Sequence, residues 1–331
     1  MTRAALFFPG RGSYTKRALR SLPEAHPFLD PAELLRREYG LPSLVELDRA
    51  ASFHPPTHLL PANAAPLIYL VSMIDAEGAR GRHEIVCMGG NSMGWYTALA
   101  AAGALPFEDG FRLVQEMALL QQEHPDGGQL LYPLIDDQWC RDPRLVEAVG
   151  RALAASPGEA FCSIDLGGYS VLAGTEQGLK RLQAMLPPVE MGAHAYPMRL
   201  AQHGPYHTPL LDAVAAKAAD RLAGLGWRAP QITLIDGRGR RHTPWSTDLE
   251  ELRDYTLGEQ VTSPYDVALG FRVLLREYAP ARIVLPGPGN TMGSIAAQAL
   301  IAEGWRGIRS RAEFEKSQES ADAIVESMRR G

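Results

Sequence analysis

The chain reads as an α/β protein built on a parallel central sheet, and three observations predict this. Short apolar runs ending in Gly, Pro or Asp recur along it, amphipathic stretches separate them, and one middle segment breaks the alternation. The runs "AALFFP" (4–9), "EIVCMG" (84–89), "QITLID" (231–236) and "ARIVLP" (281–286) are predicted buried strands. Between them, "NAAPLIYLVSMIDAEGA" (63–79) and "FEDGFRLVQEMALLQQEH" (107–124) carry apolar residues at three- and four-residue spacing, which predicts helices. Strands joined by helical crossovers must lie parallel, with helices covering both faces.

The middle of the chain has a different order. "GGQLLYPLI" (127–135) reads as a strand, "RLVEAVGRALAAS" (144–156) as a helix, and "AFCSIDL" (160–166) and "GYSVLAGT" (168–175) as strands joined through a Gly-Gly turn. A helix, "EQGLKRLQAML" (176–186), and a last strand, "AYPMRL" (195–200), follow. Strand-helix-strand-strand-helix-strand is the ferredoxin-like arrangement. Residues 128–199 are therefore expected to form a small inserted subdomain, with 1–127 and 200–331 forming the body.

Composition narrows the function. The 331 residues are 46% hydrophobic and 21% charged, as in an ordinary globular protein. A net charge of −5 gives no global basic surface, so nucleic acid is not the expected partner. The three cysteines, Cys87, Cys140 and Cys162, form no CxxC pair, which argues for a reducing compartment and against a disulfide framework or a zinc site. The N-terminal apolar run falls short of the roughly 7 residues of a secretory core, and no stretch approaches the roughly 20 of a membrane span. A cytoplasmic protein without membrane contact is the expectation.

One stretch carries chemistry. In "CMGGNSMGWYTALAAAGAL" (87–105) a predicted strand runs into Gly90-Asn91-Ser92-Met93-Gly94 and then an alanine-rich helix. This is the nucleophile-elbow context and predicts a body like that of the α/β-hydrolases. Gly90 and Gly94 leave room for a sharp turn, which presents the Ser92 hydroxyl at a helix start, where free N–H groups favour a developing oxyanion. A serine nucleophile needs a base. His203 and His207 stand four apart in "LAQHGPYHTPLL" (200–211), but Gly204-Pro205 between them breaks the helix that would make them metal ligands.

Five stretches, "FFPGRGSY", "GGNSMGWYTALAAAGAL", "GPYHTPLL", "EQVTSPYDV" and "LPGPGNTMG", occur in this order along nearly the whole chain. Together they resemble the malonyl-CoA:acyl-carrier-protein transacylase family, which includes the acyltransferase domains of polyketide synthases. The resemblance implies that Ser92 is the acyl-carrying nucleophile, matching the serine of the family's Gly-His-Ser-Leu-Gly elbow. It implies that His207 is the general base and then acid. It also implies that the backbone carbonyl of Gln260 orients the imidazole in place of a carboxylate. Backbone N–H groups of Arg11 and Met93 would form the oxyanion hole. The implied chemistry is ping-pong acyl transfer from an acyl-CoA or carrier-protein thioester to the phosphopantetheine thiol of an acyl carrier protein, with no metal and no bound cofactor.

The departures bear on substrate. Family members that use malonyl carry an arginine in the helix after the elbow, whose guanidinium grips the free carboxylate in a bidentate pair. Aligned without gaps on "GFRLVQEMALLQQ", that position is Met117. Arg112, five positions earlier, lies about 140° round the helix and cannot substitute. Met117 thus predicts a neutral or bulky acyl group. Asn91 replaces the family histidine, Trp95 its polar residue and Arg11 its glutamine. Trp95 is read as core packing or as part of a reshaped acyl tunnel. Asp165 and Leu166, in "SIDLGGYS" (163–170), are expected near the acyl chain or the carrier arm, with Asp165 further disfavouring an anion.

Three readings follow: an acyltransferase, a hydrolase that clears stalled carrier proteins with the same pair, and a non-catalytic docking module, against which the joint presence of Ser92, His207 and Gln260 argues. An unrelated esterase would need an acid between Ser92 and His207. Asp109 and Asp136 lie there, but neither follows a convincing strand. Arg199 and "GRGRRH" (237–242) are the candidate basic patch for an acidic carrier.

Overall fold

A computed structural model describes residues 1–123, 126–192 and 194–328. Its strands are β1 (Thr2–Phe8), β2 (His83–Gly90), β3 (Gly128–Pro133), β4 (Ala160–Asp165), β5 (Tyr169–Gly174), β6 (Val189–Met191), β7 (His194–Tyr196), β8 (Met198–Arg199), β9 (Leu234–Ile235), β10 (Arg241–His242), β11 (Tyr265–Asp266), β12 (Arg282–Leu285) and β13 (Val325–Ser327). Six of them form one sheet in the order β10-β9-β2-β1-β12-β13. All pairs in it are parallel except the β10–β9 edge.

Sequence explains this sheet. β1 is central, and its last five residues, Ala4 to Phe8, are buried, so it has no polar face to offer. Phe7 stacks on Phe271 at 4.1 Å between ring centroids. On the helical side, Pro61–Arg82 starts with Pro61 in its first turn and buries most of its length. It packs with the helix Phe107–Glu123, where the Tyr69 hydroxyl donates to the Phe107 carbonyl at 2.7 Å. His124, the last residue of the helix expected over 107–124, lies outside the described residues.

The second sheet has the order β11-β4-β5-β3-β8. Numbered within the middle segment, β4-β5-β3-β8 is second, third, first, fourth, all antiparallel, with the helices Pro143–Ala154 and Glu176–Met185 between strands. This is the ferredoxin-like order. It has its own apolar core around Leu130, Tyr132, Leu172 and Leu182. Its edge is completed from the body: β11 runs parallel to β4, pairing Tyr265 with Ile164 and Asp266 with Asp165. One sheet therefore stitches the two parts together beside the elbow.

The differences from expectation are local. The strand expected over 195–200 divides into β7, which pairs with β6, and β8, which pairs with β3, because Pro197 between them has no N–H to donate. The strand expected over 231–236 contracts to Leu234–Ile235. No helix among the described residues is long and apolar enough to cross a membrane.

Candidate active site

β2 ends at Gly90 beside Phe8 of β1, and the chain then turns through Asn91 and Ser92 into the helix Met93–Ala101. The turn is tight. A Cβ on Gly90 would lie 2.2 Å from the Gly94 carbonyl carbon, and one on Gly94 would lie 2.3 Å from the Phe8 carbonyl oxygen. Only glycine fits either place. Ser92 itself sits at φ 54°, ψ −113°, a conformation an L-residue holds only when its surroundings enforce it. Two contacts enforce the ends of the turn: Asn91 N–H donates to the Phe8 carbonyl at 2.9 Å, and the Tyr265 hydroxyl donates to the Gly90 carbonyl at 2.7 Å.

Facing Ser92 is His207, only 1% exposed. Its Nε2 lies 2.8 Å from the Ser92 Oγ, and its Nδ1 lies 2.6 Å from the main-chain oxygen of Gln260. A carbonyl can only accept, so Nδ1 carries the proton and Nε2 is left as the acceptor for the serine hydroxyl. Burial pushes the imidazole down to about 4, against a smaller upward pull from its bond to Gln260. At neutral pH the ring is therefore unprotonated at Nε2, which is the state a general base requires. Gln260 is buried and follows a π-helical turn, Tyr255–Glu259.

Ser92 opens onto a cavity of about 320 Å³. Its wall is largely apolar and comes from both parts of the molecule: Val114, Met117 and Ile295 from the body, and Leu131, Leu166 and Met198 from the ferredoxin-like sheet. Arg11 and Met93 also line it, each the first residue of a helical turn, where N–H groups have no intrahelical partner. Asn91 lines it too, and its buried Oδ1 has no hydrogen-bond partner.

The structure thus brings Ser92, His207, Gln260, Arg11, Met93, Asn91, Met117 and Leu166 to one place, and it leaves two of the expected residues elsewhere. Trp95 is not in the cavity wall. The ring is fully buried, donating from Nε1 to Thr256 Oγ1 at 3.0 Å and packing edge-on against Tyr255. Asp165 is also outside the wall; its carboxylate turns back to accept from the Gly167 N–H at 2.7 Å. Met117 is 3% exposed, and Arg112 is turned away to an ion pair with Glu38.

Among the described residues Arg11 is the one charged side chain in the cavity wall. Desolvation lowers it to about 10, still cationic at neutral pH. It donates from Nη2 to the Gln202 carbonyl, and among the described residues no ion pair to it is seen. His203 lines the same wall, held through Nδ1 by Gln129 Oε1 at 2.8 Å and kept neutral by burial and by Arg11. Among the described residues no group of three or more His, Cys, Asp and Glu could hold a metal. Asp109 accepts from the Gly226 N–H and Asp136 from its own loop, so neither serves His207. The basic patch dissolves into ion pairs: Arg199 with Glu176, Arg238 with Asp236, Glu251 and Glu259, Arg240 with Glu251, and Arg241 with Glu277.

Sequence reasoning missed Gln129, Tyr206 and the helix Thr291–Ala302, which supplies Thr291, Met292 and Ile295 to the wall. "LPGPGNTMG" marked that helix start without assigning it a role. Gln129, a lone amide in an apolar strand, was the available signal.

A strand, a strained serine turn, a helix and a histidine at hydrogen-bond distance define an α/β protein of the nucleophile-elbow class. No family model matches the chain. A malonyl CoA-acyl carrier protein transacylase from Haemophilus influenzae is 28% identical over 249 residues, covering 71% of this chain and 74% of its own. One from Salmonella typhimurium is 26% identical over 312 residues, covering 91% and 96%. In fold, the crystal structure of an acyl-carrier-protein S-malonyltransferase from Burkholderia pseudomallei superposes with a TM-score of 0.75 at 21% identity, over 98% of this chain and 95% of that one. The chain is thus similar in sequence to malonyl CoA-acyl carrier protein transacylases and shares the fold of an acyl-carrier-protein S-malonyltransferase.

Proposed function

We propose that the protein is an S-acyltransferase that carries an acyl group on Ser92 from a CoA or carrier-protein thioester to an acyl carrier protein, and that this acyl group is not malonyl. The observation that carries the proposal is the chain of contacts Ser92 Oγ, His207 Nε2, His207 Nδ1 and Gln260 O, opening onto an apolar cavity with Met117 in its wall. The names of the relatives support the transfer to an acyl carrier protein.

In this reading the Ser92 Oγ attacks the thioester carbon while its proton passes to His207 Nε2. The oxyanion accepts from the Arg11 and Met93 N–H groups. Collapse expels the thiolate, which takes the proton back from His207, and an acceptor thiol then reverses the sequence. No step calls on a metal or a bound cofactor. A free carboxylate beside Met117 would lose its hydration without gaining a partner, so malonyl pays a desolvation penalty that a neutral chain does not.

One observation favours a second reading. Arg11 places in the same wall a guanidinium that has no carboxylate partner among the described residues, so carboxylate recognition relocated from position 117 to position 11 would let malonyl bind. Incubation with holo acyl carrier protein and a panel of malonyl, acetyl and longer acyl-CoA separates the readings. Acyl carrier protein loaded with neutral acyl groups, absent with Ser92→Ala, supports the proposal. Malonyl loading that disappears in Arg11→Gln supports the second reading. Free acid without any loaded carrier would make the protein a hydrolase.

A further inference from the structure

We propose that Tyr96 is a positioning residue for both members of the Ser92–His207 pair and that it acts through Gln260. The inference rests on the reading that this pair does the chemistry. Gln260 is joined to the pair at both ends. Its main-chain oxygen holds His207 Nδ1 at 2.6 Å, and its side-chain Nε2 donates to the Ser92 carbonyl oxygen at 3.2 Å. One residue therefore fixes the direction of the imidazole and tethers the serine turn.

What fixes Gln260 is Tyr96, whose hydroxyl donates to Gln260 Oε1 at 2.7 Å inside the protein. That donor sets the orientation of the amide. With Oε1 committed to Tyr96, Nε2 must face the Ser92 carbonyl, whereas the flipped amide would set oxygen against oxygen. The tether matters because Ser92 holds a positive φ that its neighbours must enforce. The same helix pins the turn preceding Gln260 through Trp95, whose Nε1 donates to Thr256 Oγ1 while Thr256 donates to the Leu252 carbonyl at 2.8 Å. π-Helical turns recur at functional sites, and this one ends one residue before the carbonyl that His207 needs. Tyr96 itself touches neither Ser92 Oγ nor the imidazole in any contact seen.

The test is labelling of Ser92 by a fluorophosphonate, which needs only the Ser–His pair: the Oγ bonds to phosphorus, fluoride leaves, and His207 takes the hydroxyl proton. The maximal labelling rate and the probe's half-saturation concentration are measured for the wild type, Tyr96→Phe, Gln260→Met and the double variant, with melting temperatures alongside. Tyr96→Phe should lower the maximal rate about tenfold at unchanged half-saturation, the scale of one lost hydrogen bond to a positioned group. The double variant should be no slower than Gln260→Met alone, since both changes cut the same path. An unchanged rate in Tyr96→Phe, or losses that multiply in the double variant, overturns the positioning role. A wild type that does not label at Ser92 overturns the underlying reading of the pair instead.

Discussion

His207, buried beside Ser92, is the residue whose surroundings make the sharpest demand on solution behaviour. Burial holds its imidazole near 4, against 6.5 for the free group. Acylation of Ser92 should therefore persist from neutrality down to about pH 5 and fall to half near pH 4, rather than near 6.5. A midpoint of 6–7 in the rate of acyl-Ser92 formation would contradict this geometry. The same shift has a consequence for stability. Between about 4 and 6.5 the unfolded chain holds a proton on this ring that the folded chain does not, so stability falls as pH falls through that window. Denaturant titrations of the wild type at pH 7 and pH 5 should show the loss, and His207→Gln, which cannot titrate, should show less of it.

The elbow and its flanking elements carry the next prediction. Because a Cβ on Gly94 would meet the Phe8 carbonyl oxygen at 2.3 Å, Gly94→Ala must push the helix Met93–Ala101 away from β1. This should destabilise the protein by roughly 1–3 kcal/mol and impair Ser92 labelling more than the stability loss alone accounts for. Thermal melting and labelling on the same sample check both. At this scale the sequence was legible where elements have strong local signals. β1, β2 and β12, the ferredoxin-like order, and the glycines around Ser92 could all be read from apolar runs and turn residues. β10 and β11 could not, since two-residue strands such as Arg241–His242 and Tyr265–Asp266 exist only because a neighbour offers a ladder. Trp95 takes the first of its two readings, core packing: adjacency to the nucleophile along the chain does not decide which side of the helix a side chain takes, because one residue turns it by about 100°.

At the scale of the whole molecule, the cavity is made where two sheets meet. Val114 and Met117 come from the body, Leu131 and Leu166 from the ferredoxin-like part, and the short pairing of β11 with β4 keeps the parts in register. Which acyl group fits is thus a property of the assembly, and no single motif displays it. Arg11 illustrates this, because its sequence position marks a backbone donor and leaves its side chain open to a phosphate, a carboxylate or solvent, while the fold brings that side chain into the cavity wall beside His203. Met117→Arg should supply the missing cation and raise malonyl loading of Ser92 by about tenfold or more relative to acetyl, the scale of one charge-assisted pair. It should also lower the melting temperature, because the guanidinium is buried when the cavity is empty.

The central claim, that Ser92 carries an acyl group other than malonyl, is tested most directly by intact-protein and peptide mass spectrometry. The protein is mixed briefly with malonyl-CoA and a neutral acyl-CoA in equal amounts, without any acceptor. The expected adduct sits on the peptide containing Ser92, has the mass of the neutral acyl group, and is absent in Ser92→Ala. Malonyl as the dominant adduct on Ser92, or an acyl adduct that survives Ser92→Ala, would contradict it.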